Sequence, residues 1–509
     1  MLKVSDLLLG VLGIGGDRPA IEFEGVWHGW NEIGHMVSDL HAALDRAGMA
    51  EDSRVGILLR NRPGPLVAAL ATLAYDHCLV SLNPLFPDDK LRHDIETLKL
   101  PVVIGETADL DRPGMKDALR AAGTAVIELT GILDGARLLP GFERPDDGRV
   151  MALAPGVIIE MLTSGTTGVP KRVALKRAAF EKSFTSALSY ESSRKPGDKP
   201  RLRNDITSIL ANPITHIGGL WGALSCVLAG RKACLIERFT VPAWHDAIVR
   251  HRPKVTAAVP ASLRMILDAD IPGEDLSSLI ALRTGTAPLD PAVIAEFWAR
   301  YRIPVLQNYG ATEFSGSVAG WTLKDFHKYH DAKLGSVGRF QPGVIGRVVD
   351  ETTGEARPAG EQGILEMKAA QFGIGAEWLR TTDRAIIDAD GFLYILGRAD
   401  NAIIRGGFKI HPDDVVSALE KHPAIREAVV VGIPDRRLGE VPVAALMLRR
   451  GAAQPAEEEM AVFLRERLLP YQVPVSFRYL ADVPRTPSMK PALPDVRDLF
   501  IDDAAPDAA

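Results

Sequence analysis

Residues 161–171 read Met-Leu-Thr-Ser-Gly-Thr-Thr-Gly-Val-Pro-Lys, and they follow the apolar run Gly156-Val-Ile-Ile. An apolar, β-branched run predicts a buried strand. A loop of small residues after such a strand can bring backbone N–H groups and hydroxyls against a phosphate, and Lys171 adds a positive charge for a polyanion. The alternative for a loop of this composition is a flexible turn with a solvated lysine. It is not a Walker A loop, because no Gly-Lys-Ser/Thr ends it.

The composition is that of an ordinary soluble globular protein, with 46% apolar and 24% charged residues. At 509 residues the chain is too long for one hydrophobic core and predicts about two to four domains. The net charge of −6 leaves no polycationic surface, which argues against nucleic acid as a partner. The three cysteines form neither a disulfide framework nor a metal-ligand pair at short spacing, so a cytoplasmic location with buried thiols is expected.

The apolar start of the chain, Leu7-Leu-Leu-Gly-Val-Leu-Gly-Ile14, resembles the core of a signal peptide. It has a single preceding lysine, an aspartate at Asp6 and no small-residue cleavage site before polar sequence resumes. A first amphipathic helix is therefore expected. No run elsewhere approaches the roughly 20 apolar residues of a transmembrane segment, so none is predicted.

Helical and strand patterns alternate between residues 30 and 310. The expected helices are 37–47 and 65–75, and the expected short strands are 54–59, 102–105, 208–211, 233–236 and 255–259. This βαβ rhythm predicts an α/β fold of doubly wound, mainly parallel sheets, with ligands at the carboxyl ends of the strands.

The texture of the sequence changes after about residue 335. Glycine and proline divide short strands up to residue 396, which predicts a compact β subdomain. After Gly397-Arg-Ala-Asp400 the pattern restarts with a helix at 413–421, a strand at 427–432 and a last helix near 460–469. These segments predict a small α+β domain of about a hundred residues. The tail after Ile501 is expected to be disordered.

A second candidate motif, Gln307-Asn-Tyr-Gly-Ala-Thr-Glu313, follows the apolar turn Ile303-Pro-Val-Leu306. A tyrosine beside a glycine can offer a flat ring to a base, while a nearby hydroxyl and carboxylate suit a phosphate and its magnesium ion. Taken alone, the segment favours the simpler interpretation, a strand end followed by a helix cap.

Together, the two motifs resemble those of the adenylate-forming superfamily, which includes acyl-CoA synthetases, firefly-type luciferases and peptide-synthetase adenylation domains. The family's phosphate loop reads Ser/Thr-Ser-Gly-Thr-Thr-Gly-x-Pro-Lys, and its Tyr-Gly-x-Thr-Glu motif follows at a similar distance. The resemblance implies that the first motif contacts the nucleotide phosphates through Thr163, Ser164, Gly165, Thr166, Thr167, Gly168 and Lys171, with Thr166 taking part in catalysis. In the second motif it implies that Tyr309 stacks on adenine, Thr312 contacts the α-phosphate, Glu313 holds Mg²⁺, and Asn308 and Gly310 complete the nucleotide site.

Two further motifs carry the resemblance towards the C-terminus. Leu379-Arg-Thr-Thr-Asp383 resembles Tyr-x-Thr-Gly-Asp, in which the aspartate accepts hydrogen bonds from both ribose hydroxyls; Thr382 stands where glycine is usual. Gly397-Arg-Ala-Asp-Asn401 resembles the Gly-Arg-x-x-Asp hinge, with Arg398 near the nucleotide and Asp400 at the pivot. The implied division is a large domain, 1–398, and a mobile C-terminal domain, 401–509.

The acceptor and the catalytic lysine are implied by two motifs of the small domain. Arg405-Gly-Gly-Phe-Lys-Ile-His-Pro412 resembles a segment of CoA ligases in which adjacent glycines line a pantetheine channel, implicating Gly406, Gly407 and Lys409 in CoA binding. A plain hairpin would use Gly-Gly equally well. Val483-Pro-Arg-Thr-Pro-Ser-Met-Lys490 resembles Leu-Pro-x-Thr-Pro-Ser-Gly-Lys, which makes Lys490 the catalytic lysine. Met489 replaces a glycine, at a cost of roughly 1 kcal/mol or more if that position needs positive φ.

The acyl pocket is implied by two segments. Pro213-Ile-Thr-His216, before Gly218-Gly-Leu-Trp221, resembles the motif whose histidine borders the acyl group; a satisfied structural histidine is the alternative. Thr284-Gly-Thr-Ala-Pro288 resembles the strand end that lines the pocket and approaches the nucleotide, through Gly285, Thr286 and Ala287. The family usually has a longer stretch after Glu366, which is shortened here to residues 367–377. The shortened segment is expected near the ribose clamp, where it could open the site or reshape a dimer face.

The sequence thus predicts an ATP-dependent carboxylate–CoA ligase that uses Mg²⁺ and forms an acyl-adenylate, with CoA as co-substrate. Its acid is expected to be an aryl, cyclic or medium-chain carboxylate, and a homodimer is left open. The alternatives are an adenylation enzyme that loads a carrier protein, a luciferase-like oxygenase and a degenerate, non-catalytic nucleotide-binding homologue.

Overall fold

The structure is a computed structural model that describes residues 3–143, 153–163, 171–192, 199–314, 316–369, 377–486 and 489–501. The expectation of a disordered tail falls on residues outside these ranges.

Helices surround the sheets of the molecule throughout its length. In chain order they are Val4–Leu12 (α1), Trp30–Arg46 (α2), Pro63–Ala74 (α3), Asp88–Leu98 (α4), Thr107–Leu110 (α5), Met115–Ala122 (α6), Arg177–Ser192 (α7), Ile217–Leu228 (α8), Val241–His251 (α9), Pro260–Asp268 (α10), Pro291–Tyr301 (α11), Leu323–Tyr329 (α12), Pro412–Leu419 (α13), Glu457–Arg465 (α14) and Leu493–Ile501 (α15).

Strands of the first four-fifths of the chain are Pro19–Phe23 (β1), Val26–Gly29 (β2), Arg54–Leu58 (β3), Cys78–Leu82 (β4), Val102–Glu106 (β5), Ala125–Thr130 (β6), Gly135–Leu138 (β7), Val157–Thr163 (β8), Lys171–Lys176 (β9), Arg203–Leu210 (β10), Arg231–Leu235 (β11), Val255–Ala257 (β12), Ala281–Thr284 (β13), Val305–Ala311 (β14), Gly316–Gly320 (β15), Arg339–Phe340 (β16), Val344–Val349 (β17), Gln362–Ala369 (β18), Leu379–Ile387 (β19) and Leu393–Arg398 (β20). The remaining strands are Ile403–Arg405 (β21), Phe408–Ile410 (β22), Ile425–Asp435 (β23), Gly439–Leu448 (β24) and Phe477–Tyr479 (β25).

The strands form mixed sheets, and the α/β fold class predicted from the sequence is confirmed. One sheet has the order β7-β6-β5-β3-β4-β8-β9, and others have the orders β10-β11-β1-β2 and β12-β13-β14-β15-β16. Strands β3, β4, β5, β6 and β8 run parallel, as do β12, β13 and β14. Strands β3 to β6 are apolar runs buried on both faces, the pattern typical of parallel strands that helices cover.

The Gly/Pro-rich region is an antiparallel sheet in the order β17-β18-β19-β20. It is followed by a separate sheet in the order β22-β21-β24-β23, with β25 on β24. The short 3₁₀ helix Ala399–Asn401 joins the two sheets, at the position where the sequence predicts the hinge. This connection matters for function because it links the large domain to the segment that carries Lys490.

Several predicted boundaries differ from the structure: the expected strand 208–211 begins at Arg203 and the expected strand 427–432 ends at Asp435. Local chemistry explains three further differences. Helix α2 begins at Trp30 instead of residue 37, because Glu32 reaches back to accept a hydrogen bond from Gly29 N–H at 2.6 Å. The expected helix 460–469 is α14, which ends earlier, since Leu469 precedes Pro470 and is extended. The expected strand 255–259 ends at Ala257, because Pro260 starts α10.

The cysteines are free and buried, as predicted. Cys234 lies in a cluster with Glu22 and His251 whose potential ligand atoms approach within 4.8 Å of one another. Arg250 already contacts the Glu22 carboxylate, so this cluster is an ion-pair network in which a cation would be repelled.

Candidate active site

The phosphate loop predicted from the sequence is framed by a hairpin. Thr163 at the end of β8 pairs with Lys171 at the start of β9, so the two ends of the loop lie side by side. Ser164, Gly165, Thr166, Thr167 and Gly168 lie outside the described residues, and their roles stay predictions.

The Tyr-Gly-Ala-Thr-Glu segment lies where the parallel strand β14 runs on into an antiparallel pair with β15. A Cβ added at Gly310 would lie 2.5 Å from the carbonyl oxygen of Gly316, so only glycine allows these backbones to approach so closely. The chain then turns into the 3₁₀ helix Thr312–Phe314, which leaves the Glu313 side chain exposed beside β9. An exposed carboxylate next to the ends of the phosphate loop fits the predicted Mg²⁺ ligand.

The neighbouring strand end contributes Gly285, Thr286 and Ala287, which follow β13. A Cβ at Gly285 would lie 2.3 Å from Asn308 Oδ1, which requires glycine there. Thr286 adopts φ 74°, a strained conformation for a β-branched residue. The structure therefore brings this strand end against Asn308 of β14, next to Tyr309.

Tyr309 and Asp383 meet through a hydrogen bond from the phenol to the carboxylate Oδ2. Both side chains are half-buried. Burial raises the pKa of Asp383, while the bond from Tyr309 and the charge of Arg398 oppose this rise. Burial and the Asp383 charge raise the pKa of Tyr309. A partly desolvated carboxylate that already accepts one hydroxyl beside an aromatic ring fits a ribose clamp next to an adenine platform.

Arg398 lies opposite Asp383 on the neighbouring strand, since the two residues are paired in the antiparallel ladder of β19 and β20. Its guanidinium binds Asp400 in a bidentate pair, with Nε–Oδ1 at 2.8 Å and Nη2–Oδ2 at 2.7 Å. This pair raises the pKa of Arg398 and fixes its direction at the hinge. Gly397 is also required, because a Cβ there would lie 2.2 Å from Asp413 Oδ2 of the small domain.

Lys490 lies at the end of a tight turn that begins at Thr486. The Thr486 N–H donates to the Lys490 carbonyl at 2.8 Å, and the Met489 N–H donates to the Thr486 carbonyl at 2.8 Å. Arg485 braces the turn, with Nη2 at 2.8 Å from Glu427 Oε2 and Nη1 at 3.4 Å from the Met489 carbonyl. Sequence reasoning missed Arg485, although it lies inside the motif.

The Lys490 ammonium reaches the same site as the nucleotide residues. Burial and the charge of Arg398 lower the pKa of Lys490, and Glu313 partly offsets this effect. The charge of Lys490 in turn adds to the effect of burial in lowering the pKa of His216 in the large domain. The charges of Arg398 and Glu313 thus act on Lys490, and that of Lys490 acts on His216, although the four residues come from distant parts of the chain.

The predicted acyl-pocket residues adjoin one another. A Cβ at Gly218 would lie 3.5 Å from Thr286 Cγ2, and one at Gly316 would lie 3.2 Å from Trp221 Cη2. Trp221 packs edge-on against Phe180 and Phe184, with ring centroids 5.4 and 4.7 Å away. His216 Nε2 is buried without a hydrogen-bond partner among the described residues, so a ligand group can satisfy it.

Gly406 and Gly407 form the turn between β21 and β22, with φ of 57° and 86°. Lys409 pairs with Glu351 of the large domain. Among the described contacts, none joins this hairpin to Lys490 or Glu313. Its role in CoA binding stays a prediction.

Met489 adopts φ 63°, the conformation in which the sequence expects glycine. A left-handed conformation costs a non-glycine residue about 1–2 kcal/mol, so Met489→Gly is expected to stabilise the turn by about 1 kcal/mol. The expected result is a higher Tm in thermal unfolding, with pyrophosphate release at least as fast as in the native enzyme. Met489→Ala is the control, since it removes the side chain but keeps the strain; equal Tm gains in both variants would point to packing instead.

His216 is expected to stay neutral around pH 7, because burial and the charge of Lys490 lower its pKa from 6.5 to about 4. Unfolding then takes up a proton between these two values, so this residue's contribution to stability is present above pH 6.5 and is lost as the pH falls towards 4. We expect the Tm of the His216→Asn variant to fall less than that of the native protein when the pH is lowered from about 7.5 to about 5. Identical losses in both proteins would contradict the assignment.

A phosphate-loop hairpin, an aromatic–carboxylate nucleoside pocket and a lysine delivered by a second domain together define an adenylate-forming enzyme. The chain belongs to the AMP-binding enzyme family, whose model matches residues 14–374; the model of the AMP-binding enzyme C-terminal domain matches residues 415–490. None of the described helices is long and apolar enough to cross a membrane.

Curated relatives and solved structures agree with this membership. The 2-succinylbenzoate–CoA ligase of Bacillus velezensis is 28% identical over 489 residues and covers 93% of both chains. The fatty acid–[acyl-carrier-protein] ligase ScoC of Streptomyces coeruleorubidus is 31% identical over 68% of both chains. The crystal structure of ATP-bound MatB from Rhodopseudomonas palustris superposes with a TM-score of 0.79 at 23% identity, over 98% of this chain and 99% of that one.

Proposed function

We propose that the protein is an ATP-dependent carboxylate–CoA ligase that forms acyl-CoA, AMP and diphosphate through an acyl-adenylate. The observation that supports this proposal is that Lys490 is half-buried where the charges of Arg398 and Glu313 act on it, and where its own charge acts on His216. A desolvated cation at that point can hold two anions together, the substrate carboxylate and the α-phosphate of ATP. The similarity to a 2-succinylbenzoate–CoA ligase supports the class of reaction and an acid that carries a ring.

In the first half-reaction a carboxylate oxygen attacks the α-phosphorus of ATP, and diphosphate leaves. Tyr309 and Asp383 hold the nucleoside, while Lys490 and the loop ending at Lys171 offset the repulsion between the reacting anions. Glu313 would hold Mg²⁺, which supplies charge neutralisation on the phosphates when bound. The residues therefore act through position and charge, with little covalent chemistry of their own.

In the second half-reaction the CoA thiol loses its proton and the sulfur attacks the acyl carbonyl, so that a thioester forms and AMP leaves. In this step the small domain turns about Asp400 and presents the Gly406–Gly407 hairpin to CoA. We place the protein in the cytoplasm, where buried free thiols persist, and the homodimer stays a prediction.

The acid is proposed to be an aryl, cyclic or medium-chain carboxylate. Trp221 borders the pocket beside Gly316, and the Nε2 atom of His216 is free to meet a polar substituent. Pyrophosphate release should be measured over aryl, cyclic and fatty acids of increasing length. Turnover confined to long-chain fatty acids would contradict this substrate class.

A carrier-protein-loading enzyme is the second candidate, favoured by the similarity to the fatty acid–[acyl-carrier-protein] ligase. The enzyme, ATP and the best acid should be mixed with either CoA or a phosphopantetheinyl carrier protein, and the thioester followed by mass spectrometry. We expect acyl-CoA to form at least about tenfold faster, a difference of 1.4 kcal/mol in the barrier. Thioester on the carrier alone would exclude the CoA ligase. Absence of pyrophosphate release with every acid would instead favour a non-catalytic homologue.

A further inference from the structure

Two ion pairs join helix α10 of the large domain to the small domain. Arg264 Nη2 lies 3.1 Å from Glu420 Oε1, and Arg426 Nη1 lies 2.9 Å from Asp268 Oδ2. Arg264 and Asp268 are four residues apart on α10 and therefore share one face of the helix. Glu420 follows α13, and Arg426 is the second residue of β23. The two pairs thus alternate in sign across one contact between the domains.

The pair between Arg264 and Glu420 is the more buried of the two. The exposed fractions of their side chains are 10% and 11%, compared with 41% for Asp268 and 24% for Arg426. Arg264 Nη1 also donates to the backbone carbonyl of Arg426, and Glu420 Oε1 accepts from the Ala428 N–H at 3.3 Å. The Arg264 guanidinium therefore contacts both a side chain and a backbone carbonyl of the small domain, and these two contacts fix its direction.

The buried pair of Arg264 and Glu420 contributes little net stability, so its role is better explained by alignment of the two domains. Burial raises the pKa of Glu420 to about 7, although the charge of Arg264 opposes the rise. The cost of removing the carboxylate from water thus exceeds the attraction of its partner. A buried ion pair of this kind adds little when intact, but loss of one partner leaves an uncompensated charge in the contact. The contact is therefore sensitive to single substitutions.

A short series of contacts connects this pair to Lys490. Arg426 and Glu427 are consecutive in β23, at the point where its register against β24 shifts. Arg426 meets α10, while Glu427 binds Arg485, which braces the turn of Met489 and Lys490. Fixing β23 against α10 therefore fixes the position of the Lys490 turn relative to the large domain.

We propose that Arg264 and Glu420 are positioning residues that align the small domain with Lys490 in the adenylate site. The proposal rests on the proposed function, in which Lys490 serves only the first half-reaction. The two residues separate when the small domain turns for thioester formation, so they contribute to the first half-reaction and not to the second.

The test compares the native enzyme with Arg264→Met in two assays. Acid-dependent pyrophosphate release without CoA is expected to fall by about tenfold to a hundredfold, because Glu420 is left buried without its partner. Thioester formation from supplied acyl-adenylate and CoA is expected to change by less than about threefold. The double variant Arg264→Met/Glu420→Gln is expected to recover part of the loss, since it removes both charges.

Arg300→Met is the matched control. Arg300 also lies in the large domain, donates to the Leu267 carbonyl of α10 at 3.0 Å and pairs with Asp270, but it contacts no small-domain residue among those described. It is expected to leave both half-reactions within about twofold of the native enzyme, as for ordinary substitutions away from a functional contact. Equal losses in both assays for Arg264→Met, or no loss in either, would overturn the proposal.

A measurement without substrates separates this proposal from the proposed function. Spin labels on the variants Glu274→Cys and Glu458→Cys, both at exposed positions, report the distance between the domains. The native cysteines are buried, so labelling is expected at the introduced cysteines. The native enzyme is expected to give one dominant distance, and Arg264→Met a broader or shifted distribution. An unchanged distribution would overturn the alignment role. If instead the distribution shifts while the native enzyme releases no pyrophosphate, the alignment stands and the proposed function fails.

Discussion

Lys490→Ala is expected to lower acid-dependent pyrophosphate release by about 10²–10³-fold, the loss typical of one donor aimed at developing charge. Thioester formation from supplied acyl-adenylate is expected to remain near the native rate. The reason is electrostatic: the charges of Arg398 and Glu313 act on this ammonium, which in turn acts on His216, in the proposed adenylate site.

The electrostatic environment accounts for the size of this effect. Lys490 is half-buried, and burial together with the charge of Arg398 lowers its pKa. A charge that has already lost part of its hydration interacts more strongly with an anion than a solvated one does. The partial burial of the ammonium therefore has a cost in stability, and it keeps a cation at the proposed meeting point of the carboxylate and the α-phosphate.

Lys421→Ala is a suitable control, since Lys421 is an exposed lysine of the same domain. It should leave both half-reactions unchanged while altering the net charge equally. A Lys490→Ala variant that lost both half-reactions to the same extent would contradict the separation of roles, and would indicate that the small domain does not move between steps.

Asp383→Ala is expected to raise KM for ATP by about 10–100-fold, corresponding to one charged hydrogen-bonding site of about 1.5–3 kcal/mol. KM for the acid and for CoA should change much less. Asp383 is the acceptor of the Tyr309 phenol and the register partner of Arg398, so it lies between the predicted adenine platform and the hinge.

The physical reason is the partial burial of this carboxylate. Burial raises the pKa of Asp383, which shows that the charged form is incompletely solvated in the protein alone. Ribose hydroxyls would supply the missing donors, and their hydrogen bonds to a charged acceptor are stronger than those between neutral groups. Tyr309→Phe should have a smaller effect, because it removes one donor and keeps the ring.

Asp388→Ala provides the control for Asp383. Asp388 follows the same strand but pairs with Lys333 at 2.8 Å, away from Tyr309. Its loss should leave KM for ATP unchanged. If Asp383→Ala left KM for ATP unaltered, or raised KM for the acid by the same factor, the ribose clamp would be wrongly assigned.

Much of the fold was predictable because the large domain keeps a simple relation between pattern and structure. Strands β3, β4 and β5 are buried on both faces and read as apolar runs, and the βαβ rhythm orders them. The errors fell at element ends, where a single proline or a capping glutamate decides the boundary. Pro470 and Glu32 are such residues.

The candidate site was partly predictable for a different reason. Gly310, Gly285 and Gly397 each allow a neighbouring residue to approach closely, and the sequence marks these positions with glycine. Met489 is informative in the opposite sense, since its positive φ shows that the turn keeps its shape without glycine. Arg264 and Glu420 carry no local signal, because their partners are more than 150 residues apart and their surroundings exist only in the folded chain.

The sequence by itself determined the class of chemistry at the site. Nucleotide recognition depends on short segments in which residue type and backbone conformation act together, so the strings around Tyr309, Asp383 and Lys490 can be identified without coordinates. Only the tertiary structure decided which conformation the two domains adopt, that His216 is deprived of its charge near Lys490, and that an ion pair from α10 aligns the turn. These properties depend on desolvation and on contacts between distant segments, and neither is written in any local pattern of residues.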